Sequence, residues 1–175
     1  MKRLLIVALL AILGATAWIV LSGGKAPSGQ RRKFPPSIPD SALRAKTLKL
    51  VAASYGNDVA PLLERACFDC HSTKTDFPWY HHLPGVSQYL DKHVAEGKRR
   101  LDLSNGFPFA GRAPIVMRVR SIGRAVSRGS MPLWDYKLMH PKARLSETEK
   151  KVIVDWSENS FQELSRTARV YRIEN

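Results

Sequence analysis

Apolar residues recur at helical spacing along most of the chain, and no stretch of useful length alternates apolar and polar residues as a strand would. The clearest apolar stripe follows one side of residues 114–128 and consists of Ile115, Val119, Ile122 and Val126. Arginines occupy the other side of this segment. A capping box formed by Ser146 and Glu149 predicts the start of a further helix. The pattern predicts an all-α fold.

Three more segments are rich in strong helix formers, at 41–54, 59–66 and 86–96. We expect the helix at 86–96 to end at Gly97 and the one at 114–128 to end at Gly129, because glycine readily adopts the conformation that follows a helix. The two long stretches without a helical pattern are 72–85 and 101–113. Stretches of this length in a small domain are usually held by specific contacts.

The first part of the chain reads as a targeting or anchoring signal. An uncharged run of 18 residues, 4–21, follows Lys2 and Arg3 and is long enough to cross a bilayer core. The same run suits the apolar region of a secretory signal, so an inner-membrane anchor and a cleaved signal peptide both stay open. The predicted organisation is a signal anchor or signal peptide at 1–24, a flexible tether at 25–39 and a folded domain at 40–175.

Basic residues are concentrated in two segments. The chain has 28 Lys and Arg against 15 Asp and Glu, a formal charge of +13, and the excess lies in residues 1–33 and 97–130. Nucleic-acid-binding domains more often spread basic groups over one face among exposed aromatic residues, so we expect no nucleic-acid partner. The groups that would steer an acidic redox partner are Lys98, Arg99, Arg100, Arg120, Arg124 and Arg128. A solvated helix face, or contact with anionic lipid headgroups, explains the same residues equally well.

Both cysteines belong to one motif. They are too few for a disulfide-stapled scaffold or a four-cysteine zinc module. Cys67, Cys70 and His71 form C-x-x-C-H, the attachment signature of c-type haem. Residues three apart lie on one side of a helical turn, so both sulfurs can bond to one porphyrin edge while the next residue, His71, reaches the iron. A thioredoxin-like redox pair would follow a strand, whereas residues 59–66 predict a helix. A zinc site would need a second pair of ligands at the usual spacing, which the sequence lacks.

Met131 is the leading candidate for the second axial ligand of such a haem. It follows the predicted helix end at Gly129 and precedes Pro132, which favours an extended strap from which a thioether can turn towards iron. The other candidates are Met117, Met139, His81, His82, His93 and His140. We expect four aromatic residues to pack around the cofactor or to bond its propionates: Trp79, Tyr80, Trp134 and Tyr136.

Three runs of sequence resemble the bacterial haem-binding-domain family of small c-type cytochromes. They are CFDCHSTKTDFPWY from Cys67, HVAEGKRRLDLS from His93 and GSMPLWDYKLMHPKARLSETEKKVIVDW from Gly129. The similarity covers about residues 45–160, and the order of motifs is also that of class I cytochromes c. It implies a cytochrome c-like helical domain at 40–175 wrapped around one covalent haem c. The residues that it assigns are Cys67 and Cys70 for attachment and His71 and Met131 as iron ligands.

The expected function is transfer of single electrons. A thioether ligand raises the reduction potential of the haem iron, which suits a carrier. Because haem c is attached outside the cytoplasmic membrane in bacteria, the resemblance implies the periplasmic side of the inner membrane, with an anchor at 4–21, or the soluble periplasm after cleavage. A peroxidase-like haem enzyme and a haem-based sensor with a displaceable sixth ligand are the alternatives. We expect a carrier rather than an enzyme, since no acid–base pair has convincing spacing.

Overall fold

The computed structural model describes the backbone of residues 42–174 and the side chains of residues 42–168. The predicted signal or anchor at 1–24 and the tether at 25–39 lie outside the described residues. Six α-helices make up most of this part of the chain: α1 Ala42–Asp58, α2 Ala60–His71, α3 Val86–Arg100, α4 Ile115–Ser127, α5 Trp134–Met139 and α6 Glu147–Glu174. The described residues form no strand, so the all-α prediction is confirmed.

Among the described helices, none combines the length and the apolar composition that crossing a bilayer requires.

The most extensive helix contact joins α4 to α6, and one glycine permits it. The predicted stripe on α4 is confirmed, with Val119, Ile122 and Val126 buried. Between them Gly123 faces Ser157 of α6, whose hydroxyl accepts a hydrogen bond from the Gly123 amide at 3.1 Å. The same hydroxyl donates to the Val119 carbonyl at 2.8 Å. A Cβ at position 123 would lie 2.6 Å from the Cβ of Ser157, so the two helices approach too closely for any side chain there.

The long stretch at 101–113 is held by its own buried side chains. Leu103 and Phe109 are almost fully buried in the core. The Phe109 ring meets Tyr55 of α1 edge-on at 5.2 Å between centroids and lies 6.2 Å from Trp156 of α6. Asp102 and Ala110 pair through two backbone hydrogen bonds of 3.0 and 3.1 Å, which close the loop on itself.

The start of α6 is fixed to α2. The predicted capping box is confirmed: the Glu149 amide donates to the Ser146 hydroxyl at 3.2 Å, and the Ser146 amide donates to the Glu149 carboxylate at 2.8 Å. Arg65 of α2 forms an ion pair with Glu149 and donates to the Arg144 carbonyl at 3.3 Å. These bonds set the last helix against the helix that carries the cysteines.

Two helices differ from the predictions. The prediction that Gly97 ends its helix is wrong, because α3 continues for another turn to Arg100. Gly97 is helical and faces the Cys70 carbonyl, so its role is a close approach to α2. The short helix α5 was not predicted, since six residues give no readable period. The prediction for Gly129 is confirmed, with φ at +65° directly after α4.

Replacing Gly123 with alanine should lower the free energy of unfolding by about 1–3 kcal/mol, because the added methyl overlaps Ser157. Gly56→Ala in α1 is the matched control: no atom lies within 4 Å of a Cβ at that position. There the better helix propensity of alanine should leave stability unchanged or raise it by up to about 1 kcal/mol. Denaturant unfolding of both variants measures the difference, and equal stabilities would contradict the packing described for α4 and α6.

Candidate functional site

A cavity of about 220 Å³ lies where α2, α3 and the residues after α4 meet. Its lining combines the predicted sulfur and imidazole groups with mostly apolar neighbours. The lining residues are Ala66, Cys67, Cys70, His71, His93, Glu96, Gly97, Arg100, Met131, Pro132, Leu133 and Tyr136. The structure therefore brings all four predicted site residues to one cavity.

The last turn of α2 presents the two cysteines. Helix α2 continues through the C-x-x-C-H motif and ends at His71, so Cys67 and Cys70 lie one turn apart on its cavity side. They form no disulfide. Burial, followed by the charge of Cys70, raises the pKa of the Cys67 thiol to about 12, and burial also raises the pKa of Cys70. A thiol–disulfide exchange pair needs a lowered thiol pKa, so this environment does not suit a redox-active dithiol.

His71 is oriented by hydrogen bonds on its side chain and its backbone. Its Nδ1 lies 2.9 Å from the Leu101 carbonyl, which can only accept, so Nδ1 carries the proton and Nε2 keeps its lone pair. The Leu103 amide donates to the His71 carbonyl at 2.7 Å. Burial lowers the pKa of His71 and favours the neutral imidazole. A buried neutral imidazole with a fixed Nδ1 proton is the form in which histidine ligates a metal through Nε2.

Gly97 allows α3 to pass directly over the motif. A Cβ at this position would overlap the Cys70 carbonyl oxygen and would lie 3.6 Å from Cε1 of His71. Because α3 then continues past Gly97 to Arg100, the next residue is Leu101, whose carbonyl accepts the hydrogen bond from Nδ1 of His71. The close approach of the two helices thus sets the position of the histidine's hydrogen-bond partner.

Met131 reaches the cavity from a strap, here defined as residues 128–133, between α4 and α5. The strap is fastened to the end of α4, since the amides of Ser130 and Met131 both donate to the Ala125 carbonyl, at 3.0 and 3.3 Å. The Met131 side chain is 38% exposed, whereas the following Pro132 is buried. The predicted position of Met131 on an irregular segment after Gly129 is confirmed.

Only some of the other candidate ligands line the cavity. His93 of α3 lines it, beside Tyr89, whose ring centroid is 4.3 Å away. The remaining candidates are not among the lining residues: Met117, Met139, His81, His82 and His140. Of these, His81 bonds Asp91 at 2.9 Å. Met131 and His93 are therefore the candidates that share the cavity with His71.

Of the four aromatic residues that we expected around the cofactor, one lines the cavity. Tyr136 lines the cavity, but Trp79 and Trp134 are 74% and 73% exposed, and Tyr80 is not among the lining residues. The exposed indoles lie on the 3₁₀ turn at 79–82 and at the start of α5, on segments too short to be recognised from periodicity.

Three residues that shape the site were not predicted from the sequence. They are Gly97, Leu101, and Asp69 inside the motif, whose carboxylate accepts a hydrogen bond from the Tyr136 hydroxyl at 2.5 Å. The signal for Gly97 was its position in an otherwise continuous helical pattern. Leu101 acts through its backbone carbonyl, which any residue would supply, so no sequence signal exists for it.

The donor set fits a c-type haem. Two thiols one turn apart, an imidazole with its Nε2 lone pair available and a thioether line one largely apolar cavity. A sequence model described as Haem-binding domain matches residues 34–159. Neither the curated proteins nor the solved structures contain a match.

Proposed function

The chain belongs to the haem-binding-domain family, and on that premise we propose that it is a monohaem c-type cytochrome that transfers single electrons. Haem binding is the family's shared property. Covalent attachment, the axial ligands, electron transfer and a periplasmic location go further, and each rests on residues described above.

One haem per chain would be held by thioether bonds from Cys67 and Cys70. His71 would supply Nε2 as the proximal ligand and Met131 its thioether as the distal one. Bound in this way, the haem supplies a one-electron couple that needs no change in its ligands. The chain's own part is to orient His71 through Leu101, to keep the imidazole neutral by burial and to exclude water with apolar neighbours.

One observation carries the proposal: Nδ1 of His71 donates its hydrogen bond to the Leu101 carbonyl, while the side chains of His71 and Met131 line the same cavity. Two candidate iron ligands therefore line one cavity, and one of them already has its Nε2 lone pair available. Electron carriers need a closed coordination sphere, because little then moves when the charge of the iron changes.

A second candidate is a haem enzyme or sensor in which the sixth ligand is displaced by a small molecule. The partial exposure of Met131 on a strap outside any helix favours it. Glu96 and Arg100 also line the cavity, although they pair with each other at 2.6 Å. In the carrier Met131 stays bound to the iron, whereas in the enzyme or sensor a small molecule displaces it.

For the partner and the location we propose an acidic redox protein on the periplasmic side of the inner membrane. Residues 4–21 would anchor the chain or direct its export, and haem c attachment is the argument for the compartment.

Of the basic residues considered for docking, Arg100 lines the cavity, and Lys98 and Arg99 share its helix turn. Arg120 instead lies over the Phe161 ring of α6 at 4.2 Å, and neither Arg124 nor Arg128 lines the cavity. The α3 group is therefore the better docking surface.

Replacing Cys67 and Cys70 together with serine should abolish haem that survives denaturing electrophoresis, because thioether bonds are the only covalent links proposed. Mass spectrometry of the unaltered chain should show one haem adduct and should report the N-terminus at the same time. A double variant that keeps its denaturation-resistant haem would refute the attachment.

Resistance of the chain to protease added to spheroplasts would contradict the proposed compartment.

Met131→Ala should convert a low-spin, six-coordinate spectrum with a methionine-to-iron charge-transfer band into a spectrum without that band. His93→Ala is the matched control, because His93 lines the same cavity and should leave the band intact. Loss of the band in His93→Ala alone would assign the sixth position to His93. High-spin iron or ready binding of carbon monoxide in the unaltered protein would favour the enzyme or sensor.

Removing one charge near the cavity should slow electron exchange with an anionic reagent. Arg100→Gln should lower the rate with hexacyanoferrate roughly two- to fivefold at low salt and should slightly raise it with a cationic hexaammine complex. Arg124→Gln serves as the control, as Arg124 does not line the cavity. Both effects should fade as ionic strength rises. Equal rates for the two variants would count against docking through α3.

A further inference from the structure

Helix α5 is short and contributes no residue to the buried core. It spans the six residues Trp134–Met139, and none of them is buried. Helices this short are not stable on their own in water. Yet α5 directly follows the strap that carries Met131, so whatever fixes α5 also fixes the free end of the strap. The described contacts of α5 are mainly polar, and two of them join tyrosine hydroxyls to carboxylates.

The first of these bonds ties α5 to the haem motif itself. Tyr136 donates its hydroxyl proton to Oδ2 of Asp69 at 2.5 Å, and both side chains are partly buried. Asp69 stands between Cys67 and Cys70. Its other oxygen, Oδ1, accepts the Asp76 amide at 3.2 Å. One carboxylate therefore joins α2, the stretch after it and α5.

The Tyr136 ring occupies a position that links this bond to the cavity. It lines the cavity together with Cys70 and Met131, and its other side stacks on His140 with centroids 4.1 Å apart and planes within 16°. Burial, followed by the bond to Asp69, raises the pKa of Tyr136, so the hydroxyl remains a donor. The second tyrosine bond, from Tyr89 to Asp135 at 3.0 Å, is exposed and joins α5 to α3 rather than to α2.

We propose that Tyr136 is a positioning residue for Met131: its hydrogen bond to Asp69 fixes α5 to the motif-bearing turn of α2 and so keeps the thioether in the cavity. The inference rests on the proposed function, in which Met131 is the distal ligand. A charge-assisted hydrogen bond between partly buried groups is among the stronger single tertiary contacts, whereas an exposed one contributes much less. Met131 would thus be retained by a contact across 67 residues of sequence.

The test compares Tyr136→Phe with Tyr89→Phe in the haem-loaded protein. Tyr136→Phe should raise hydrogen exchange at 128–139 and should increase the affinity for imidazole, which competes with Met131, by about tenfold or more. Tyr89→Phe should change that affinity less than about threefold. Denaturant unfolding separates a general loss of stability, which would affect exchange throughout the chain, from release of the strap.

A double-mutant cycle isolates the pair. Asp69→Asn should weaken the strap in the same direction, because an amide oxygen accepts a weaker hydrogen bond than a carboxylate, and Tyr136→Phe combined with Asp69→Asn should be no worse than Tyr136→Phe alone. Additive effects, or imidazole affinity in Tyr136→Phe equal to that in Tyr89→Phe, would overturn the proposal.

If the unaltered protein shows no methionine band, the proposed ligand fails, and the role of Tyr136 towards Met131 fails with it. The exchange data still report whether the bond to Asp69 holds α5, so the two failures are distinguishable.

Discussion

The Cys70 carbonyl and Gly97 are in such close contact that α3 crosses α2 with no side chain between them. The orientation of His71 follows from this contact. Because α3 lies against the motif, its last turn brings the Leu101 carbonyl to Nδ1 of His71, and the chain then returns so that the Leu103 amide bonds the His71 carbonyl. The buried side chain of Leu103 enters the core at the same place. Helix crossing, ring orientation and loop anchoring are parts of one arrangement.

Most of the helices could be predicted because their signals are local. The stripe on α4 and the capping box before α6 each lie within a few turns of sequence, and both are present in the structure. The motif at 67–71 likewise brings two thiols and an imidazole to one helix turn without help from the rest of the fold. These features needed no knowledge of what packs against them.

The features that could not be predicted depend on distant partners. The sequence predicts a helix end at Gly97, because a glycine that ends a helix and a glycine that admits a neighbouring helix look alike in one sequence. Helix α5 escaped notice since its described tertiary ties include hydrogen bonds from Tyr136 to Asp69 and from Tyr89 to Asp135, which join residues 67 and 46 positions apart. The Leu101 carbonyl has no side-chain signature. Such long-range polar contacts fix the site, whereas short-range apolar patterns build the helices around it.

Cys67 also constrains how the mature protein is assembled. Its thiol is held in a buried environment that raises its pKa to about 12, so very little of it is the nucleophilic thiolate at neutral pH. A thiol in this state is a weak nucleophile. With haem attached as proposed, we expect the covalent step to precede the packing of α3 over the motif. The contact between Gly97 and the Cys70 carbonyl would then be among the last to form, since it brings α3 over the residues that receive the cofactor.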